Sequence, residues 1–263
     1  MRSGPSLTAR AVALARSELE RPRTPAGEPD AEQRLYASLS MPARWPIGRG
    51  LRRWVAARTT FFDEVTLAAI RAGVSQIVIV GAGYDGRSLR FHEPGLRFFE
   101  VDHPSTQQDK RWRVEHFAKA SGPPSVYVAH DLTNGGLCRA LERAGHEAGQ
   151  PTLFICEGLL LYLTPQHAEE LIIDMASCAA PPSRLALSAR ERVPHAPLIG
   201  RISRAAQRLL LAAIGEPRRS LFEPGELAQL LARGGWRTVR EDARVGTHGG
   251  SRGTLVLSEP LGG

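Results

Sequence analysis

The sequence predicts an α/β chain built as a Rossmann-like, seven-stranded, mostly parallel sheet with an antiparallel edge hairpin and N-terminal helices. Three observations carry this expectation. From Gln76 onward, short apolar runs alternate with helical patterns, as in a parallel sheet with crossover helices. The runs are apolar throughout, as strands covered on both faces are. A glycine-rich stretch, Gly81-Ala-Gly83-Tyr-Asp85-Gly86, follows the first run directly.

Taken in order, residues 7–19 (LTARAVALARSEL) read as a helix, and residues 21–30, with three prolines and a glycine, as a loop. Residues 49–72 read as a longer helix, with Leu51, Trp54, Val55, Phe61, Phe62, Val65, Leu67 and Ile70 at helical spacing and Gly73 as its stop. Residues 1–72 are thus an N-terminal helical region. Strands are expected at 76–80, 96–101, 125–129, 152–156 and 184–188, separated by helices at 86–92, 104–120, 135–148 and 165–179. After a helix at 224–233, the runs 236–240 and 254–258 lie close enough, across Gly246, Gly249 and Gly250, to pair as the edge hairpin. Residues 190–220 break the alternation. They carry an extra helix over 198–214 and follow a strand's carboxyl end, the edge where open α/β sheets bind ligands. This segment is expected to be part of a substrate wall. The 263 residues, 42% of them hydrophobic, form one large core, so 1–263 reads as a single domain.

The formal net charge is +7, but arginine is scattered and lysine occurs only at Lys110 and Lys119. Without a basic run interleaved with aromatics, nucleic acid is not expected as a partner. Cys138, Cys156 and Cys178 are dispersed, with no CxxC and no nearby histidine pair, which points away from a disulfide framework and a metal site. The N-terminus lacks the apolar core of a signal peptide, and no stretch approaches the ~20 apolar residues of a membrane span. A cytoplasmic protein with no membrane partner is expected.

The glycines permit a tight turn and close approach of a ligand to the backbone. Asp102 follows about twenty residues on, at the end of the second run. Its carboxylate can accept hydrogen bonds from vicinal ribose hydroxyls, or it can cap the helix starting near Pro104. Nicotinamide dinucleotides and S-adenosylmethionine both use such a site. Asp85 favours the second: an acid in the loop repels a pyrophosphate, whereas an ammonium and a sulfonium tolerate it. Arg87 stands where it could neutralise that acid. Asp131 and Glu157 follow the third and fourth runs, each a ligand contact or an N-cap. Carboxyl groups at four successive strand ends fit a cationic, polyhydroxylated ligand.

Residues 58–165 resemble the leucine carboxyl methyltransferase family of class I S-adenosylmethionine-dependent methyltransferases, several of whose bacterial members act on natural products. The resemblance rests on Arg58-Thr-Thr-Phe-Phe-Asp63, Gln76-Ile-Val-Ile-Val-Gly-Ala-Gly-Tyr-Asp85, Phe99-Glu-Val-Asp102-His-Pro104, Asp131-Leu132 and Glu157-Gly-Leu-Leu-Leu-Tyr162-Leu-Thr-Pro165. It implies the class I methyltransferase fold and S-adenosylmethionine as cofactor. It further implies that Arg58 holds the methionine carboxylate and that Gly81 lies against the methionine part, with Gly83 and Asp85 in the same turn. Asp102 would bind the ribose, Asp131 and Leu132 frame the adenine, and Glu157 line the amino-acid end. Gly86 replaces a common Thr and Cys156 a small residue such as Ala. Residues 190–220 match no pattern of the family.

The expected reaction is in-line methyl transfer to an acceptor oxygen, most simply a carboxylate of a small molecule or peptide. Such a group is ionised at neutral pH and needs no general base. A phenol or alcohol would require one, for which His195 and Tyr162 are the candidates. Tyr84 and Tyr162 are expected to face the site, and Cys156 to be a small buried hydrophobe. Two alternatives share the sequence features: an NAD-dependent oxidoreductase, from the G-x-G-x-x-G match, and a non-catalytic cofactor-binding protein on the same fold.

Overall fold

The run Gln76–Val80 forms β1, buried at every residue, third from one edge of the seven-stranded sheet. In this computed structural model, which describes residues 6–28, 30–39, 49–118, 125–193, 219–248 and 251–261, β1 pairs in parallel with β2 (Arg97–Asp102) and β4 (Thr152–Cys156). β3 (Val126–Ala129) extends the sheet from β2 and β5 (Arg184–Arg192) from β4, both in parallel. β7 (Ser251–Pro260) joins β5 antiparallel, and β6 (Trp236–His248) closes that edge antiparallel to β7. The order is β3-β2-β1-β4-β5-β7-β6. Strand order therefore reverses between β1 and β4, and the carboxyl edge at such a switch point is where this architecture receives ligands.

Side chains alternate between two covered faces. Val78, Val80, Phe154, Cys156, Leu185 and Leu187 face α6 (Leu137–Arg143), α7 (Pro165–Ser177) and α8 (Glu226–Arg233). Ile77, Ile79, Leu153, Ile155 and Ala186 face α3 (Arg49–Arg71), which contributes Trp54, Phe61, Phe62 and Val65. α3 stops as expected at Gly73, whose φ of 82° a side chain disfavours. A third cluster around Leu35, Tyr36, Tyr84 and Leu89 holds α1 (Leu7–Ser17), α2 (Ala31–Ala37) and α4 (Arg87–Arg90) together.

Two expectations are corrected and one element is new. The helix expected over 104–120 is α5 (Pro104–Arg113) followed by a π-helical turn, Val114–Ala118. β5 runs on through Arg190, Glu191 and Arg192, which pair with Gly253, Arg252 and Ser251. The alternation thus breaks after Arg192, not at 190; antiparallel pairing at the edge supports polar residues that an apolar-run criterion excludes. α2 is unexpected because its seven residues, AEQRLYA, are too few and too polar to show a period. The helix expected over 198–214, and His195, lie outside the described residues. No described helix is long and apolar enough to cross a membrane.

Candidate functional site

β1 runs into Gly81 and Gly83, with φ of 69° and 50°. A Cβ on Gly81 would stand 3.0 Å from Leu159 Cδ1, and one on Gly83 would stand 3.1 Å from the Ala9 Cβ of α1. The turn therefore needs glycine for conformation and for space. Asp102, at the end of β2, accepts hydrogen bonds from the Gly83 N–H (2.6 Å) and the His103 N–H (2.7 Å). His103, not Asp102, caps α5, accepting from the Ser105 N–H. Asp102 is half-buried, so its carboxylate is fixed against the glycine turn and still reachable. Next along the edge, the His130 N–H donates to the Asp102 carbonyl at 2.9 Å. Asp131 accepts from the Thr133 N–H (3.0 Å) and hydroxyl (2.8 Å). It closes a local turn; Gly136 occupies the N-cap of α6. Leu132 packs half-buried against the core beside it.

On the other side of the turn lies a buried ion network. Glu157, just beyond β4, accepts from Arg58 Nε (2.8 Å), Arg16 Nη2 (2.5 Å) and Arg87 Nη1 (2.7 Å). Asp85 pairs with Arg87 and, at 3.5 Å, with Arg16. Asp63 holds Arg87 (2.9 Å), Arg90 (3.0 Å) and Arg21, the last in a two-armed contact. Glu32 holds Arg21 (2.5 Å) and Arg90 (2.7 Å). Five guanidiniums thus face four carboxylates among the described residues, leaving one positive charge over. None of the nine side chains is more than 8% exposed, so this charge is not met by bulk water.

Burial and neighbouring charges act unequally on these groups. Burial works against every charge in the network, but for Glu157 the pull of Arg16, Arg87 and Arg58 outweighs it and holds the carboxyl well below its ordinary range. Arg87 and Arg16 likewise hold Asp85 down at about 2. Burial lowers the Arg58 pKa, and repulsion from Arg16 adds to this, against the attraction of Glu157. Arg90, at the far end beside Asp63 and Glu32, is lowered by burial and by Arg21 in the same way. Buried Arg16 Nε and Arg87 Nη2 have no hydrogen-bond partner. A surplus positive charge and orphaned donors beside a glycine turn fit the carboxylate of an amino-acid-like ligand. The half-buried Asp102 at the next strand end fits its hydroxyls.

The structure brings Arg58 and Glu157 together across 99 positions of sequence. A helical arginine would ordinarily be solvated, yet Arg58 is 6% exposed and its guanidinium stacks 5.9 Å from the Trp54 ring centroid. A Cβ on Gly158 would lie 2.9 Å from its Nη1, so the glycine after Glu157 makes room for the arginine. Asp85 requires a correction. Its charge is taken up by Arg87 and Arg16, and its carboxylate also accepts the Arg87 N–H. It therefore does not present a bare acid to a ligand and cannot discriminate against a pyrophosphate. Tyr84 is buried, with its hydroxyl on Asp109. The Tyr162 hydroxyl donates to Thr8 of α1 at 2.9 Å. Cys156 is fully buried, and desolvation pushes its thiol up to about 12, as suits a core residue. Arg16, Arg21, Arg90 and Glu32 escaped the sequence reading. The available signal was Arg87 and Arg90 at helical spacing directly after a glycine turn, followed by an apolar strand.

Residues 10–176 match the profile of the family described as leucine carboxyl methyltransferase. A protein of Parafrankia sp. (strain EAN1pec), provisionally named an S-adenosyl-L-methionine-dependent methyltransferase, is 38% identical over 162 residues, 60% of this chain and 48% of the relative. One of Mycolicibacterium paratuberculosis (strain ATCC BAA-968 / K-10), named in the same way, is 35% identical over 204 residues, 71% of this chain and 63% of the relative. The chain spans about half the length of the curated relatives it matches. Among solved structures, a protein of Thermobifida fusca YX provisionally named a methyltransferase superposes with a TM-score of 0.62 at 17% identity, covering 99% of this chain and 96% of that one. Magnesium protoporphyrin IX methyltransferase from Synechocystis PCC 6803, with bound S-adenosylhomocysteine, gives 0.55 at 16% identity, covering 88% and 93%. These likenesses show the fold.

Proposed function

Because the chain belongs to the leucine carboxyl methyltransferase family, we propose that it is an S-adenosylmethionine-dependent O-methyltransferase acting on a carboxylate of a small molecule or peptide, in natural-product biosynthesis. The observation that carries this reading is the buried network of arginines and carboxylates beside the Gly81 turn, in which Glu157 gathers Arg58, Arg16 and Arg87. Bound there, S-adenosylmethionine supplies a methyl group activated by its sulfonium. The chain's own residues bind and align it. Arg58 receives the methionine carboxylate, with the orphaned donors of Arg16 and Arg87 close by. Glu157 holds these three arginines in place and lines the amino-acid end of the cofactor. Gly81 and Gly83 give the backbone close approach, Asp102 accepts from the ribose hydroxyls, and Asp131 with Leu132 frames the adenine.

For the acceptor, exclusion of water and alignment of an ionised oxygen suffice, so no base is assigned. Tyr162, engaged with Thr8, ties α1 to the turn after β4 and serves as part of the roof. The test is turnover with S-adenosylmethionine across panels of carboxylic acids and phenols, followed by release of S-adenosylhomocysteine. The proposal expects an alkali-labile methyl ester as product. An alkali-stable ether or amine product would overturn the carboxylate assignment.

A further inference from the structure

Arg190 lies on the same face of the sheet as Glu157 and Arg58, one strand further toward the edge. Cys156 is in register with Leu187, which sets Glu157 level with Ser188 on the next strand. The Gly158 N–H donates to Ser188 Oγ at 2.8 Å and fixes that relation. Two residues on, about 7 Å farther out along the strand, stands Arg190. Its guanidinium is 5.9 Å from the centroid of the Trp54 ring, the same distance as that of Arg58. One indole thus spaces two arginines, which lie no farther apart than twice that distance. The indole itself is fixed, because it packs on the Gly253 backbone where no Cβ could stand.

Arg190 sits within β5 opposite Gly253, where the chain returning at Phe222 docks on the strand. The Phe222 N–H donates to the Arg190 carbonyl at 3.0 Å, and the Arg192 N–H donates to the Phe222 carbonyl at 2.7 Å. The returning chain at 219–220 binds the Leu161 carbonyl in the turn after Glu157. Residues from β4, β5 and the returning segment therefore converge beside a half-buried arginine. Ser251 Oγ accepts from its Nη2 at 2.7 Å and orients the fork.

We propose that Arg190 is a specificity-determining residue that binds a second, non-reacting carboxylate of the acceptor. This rests on the methyltransferase reading above. The reacting carboxylate is a poor partner for this arginine, since a guanidinium holding it would stabilise the ground state and lose its grip as the oxygen becomes a neutral ester. A carboxylate that stays ionised is held equally before and after transfer, and orients the acceptor. The acceptor class is thus a diacid, or an acid-bearing molecule with a second anionic group.

The test uses the full chain loaded with S-adenosylhomocysteine and titrated with aliphatic dicarboxylates from succinate to suberate, each against the monocarboxylate of equal chain length, from butyrate to octanoate. At least one diacid should bind the wild-type protein about ten- to a hundredfold tighter than its monoacid, the range of a charge-assisted pair. Arg190→Gln should collapse that ratio to near unity, and Arg190→Lys should retain part of it. A merely structural role would weaken diacid and monoacid alike and leave the ratio standing. A ratio that persists in Arg190→Gln, or a wild-type protein with no preference for any diacid, overturns the assignment. Failure of S-adenosylhomocysteine itself to bind would instead refute the cofactor reading.

Discussion

Arg58→Ala separates the two roles open to this arginine. An exposed helical arginine would change stability by less than about 0.5 kcal/mol on truncation. Arg58 is buried, donates to Glu157 at 2.8 Å and stacks on Trp54. Its removal leaves Glu157 paired with Arg16 and Arg87, and it relieves the repulsion between Arg16 and Arg58. The loss should therefore fall short of the ~3–5 kcal/mol for a buried pair broken outright, at about 1–2 kcal/mol. The effect on binding should be larger. A ligand carboxylate left without its guanidinium costs about 2–4 kcal/mol, or tens- to several-hundredfold in Kd. Isothermal titration with S-adenosylhomocysteine measures this. Adenosine, which lacks the carboxylate, is the control and should bind the variant and the wild type alike. Arg58→Lys should recover part of the loss, because an ammonium supplies charge without the bidentate fork. Equal weakening of adenosine and S-adenosylhomocysteine, or of neither, would refute the clamp.

Asp102→Ala should weaken S-adenosylhomocysteine by about 1.5–3 kcal/mol through lost hydroxyl bonds, with the fold retained; unchanged affinity in the same titration would reduce Asp102 to a brace for Gly83 and His103. Arg16→Ala should release α1 from Glu157 and Asp85, seen as faster amide exchange over Leu7–Ser17; unaltered protection would mean that apolar packing alone holds the helix. Asp85 and Glu157 are held below their ordinary values of 3.8 and 4.5 in the folded chain. Their stabilisation is thus complete above about pH 5 and is lost as pH falls toward the folded values. The melting temperature of the wild type should drop between pH 5 and pH 3 more steeply than that of Glu157→Gln, and parallel slopes would contradict the network's role.

The parallel strands were legible because each is short and apolar on both faces, and the position of Gly73 ended α3 where the helical period ran out. The edge strands were legible only in their apolar centres. Arg190 and Arg192 take strand conformation from their antiparallel partners, a tertiary effect that no local pattern records. At the site, the glycine turn and the acids at strand ends could be placed from spacing. The pairing of Arg58 with Glu157 was within reach only through family resemblance. The network around Asp63 was not legible, because Arg16, Arg21, Glu32 and Arg90 come from three separate N-terminal and post-turn segments. As isolated charges, each reads as a solvated surface residue. For Asp85, spacing gave its place in the turn and Arg87 as a neutralising partner, but not Arg16, which shares its charge.

The central claim is that the carboxyl edge around Gly81 is a site for S-adenosylmethionine rather than for a nicotinamide dinucleotide. Thermal unfolding of the protein with S-adenosylmethionine, S-adenosylhomocysteine, NAD and NADP tests it most directly, since a ligand of the folded state raises the melting temperature by linkage. The account predicts a concentration-dependent rise with the first two and none with the dinucleotides. A rise with NAD or NADP and none with S-adenosylhomocysteine would contradict it.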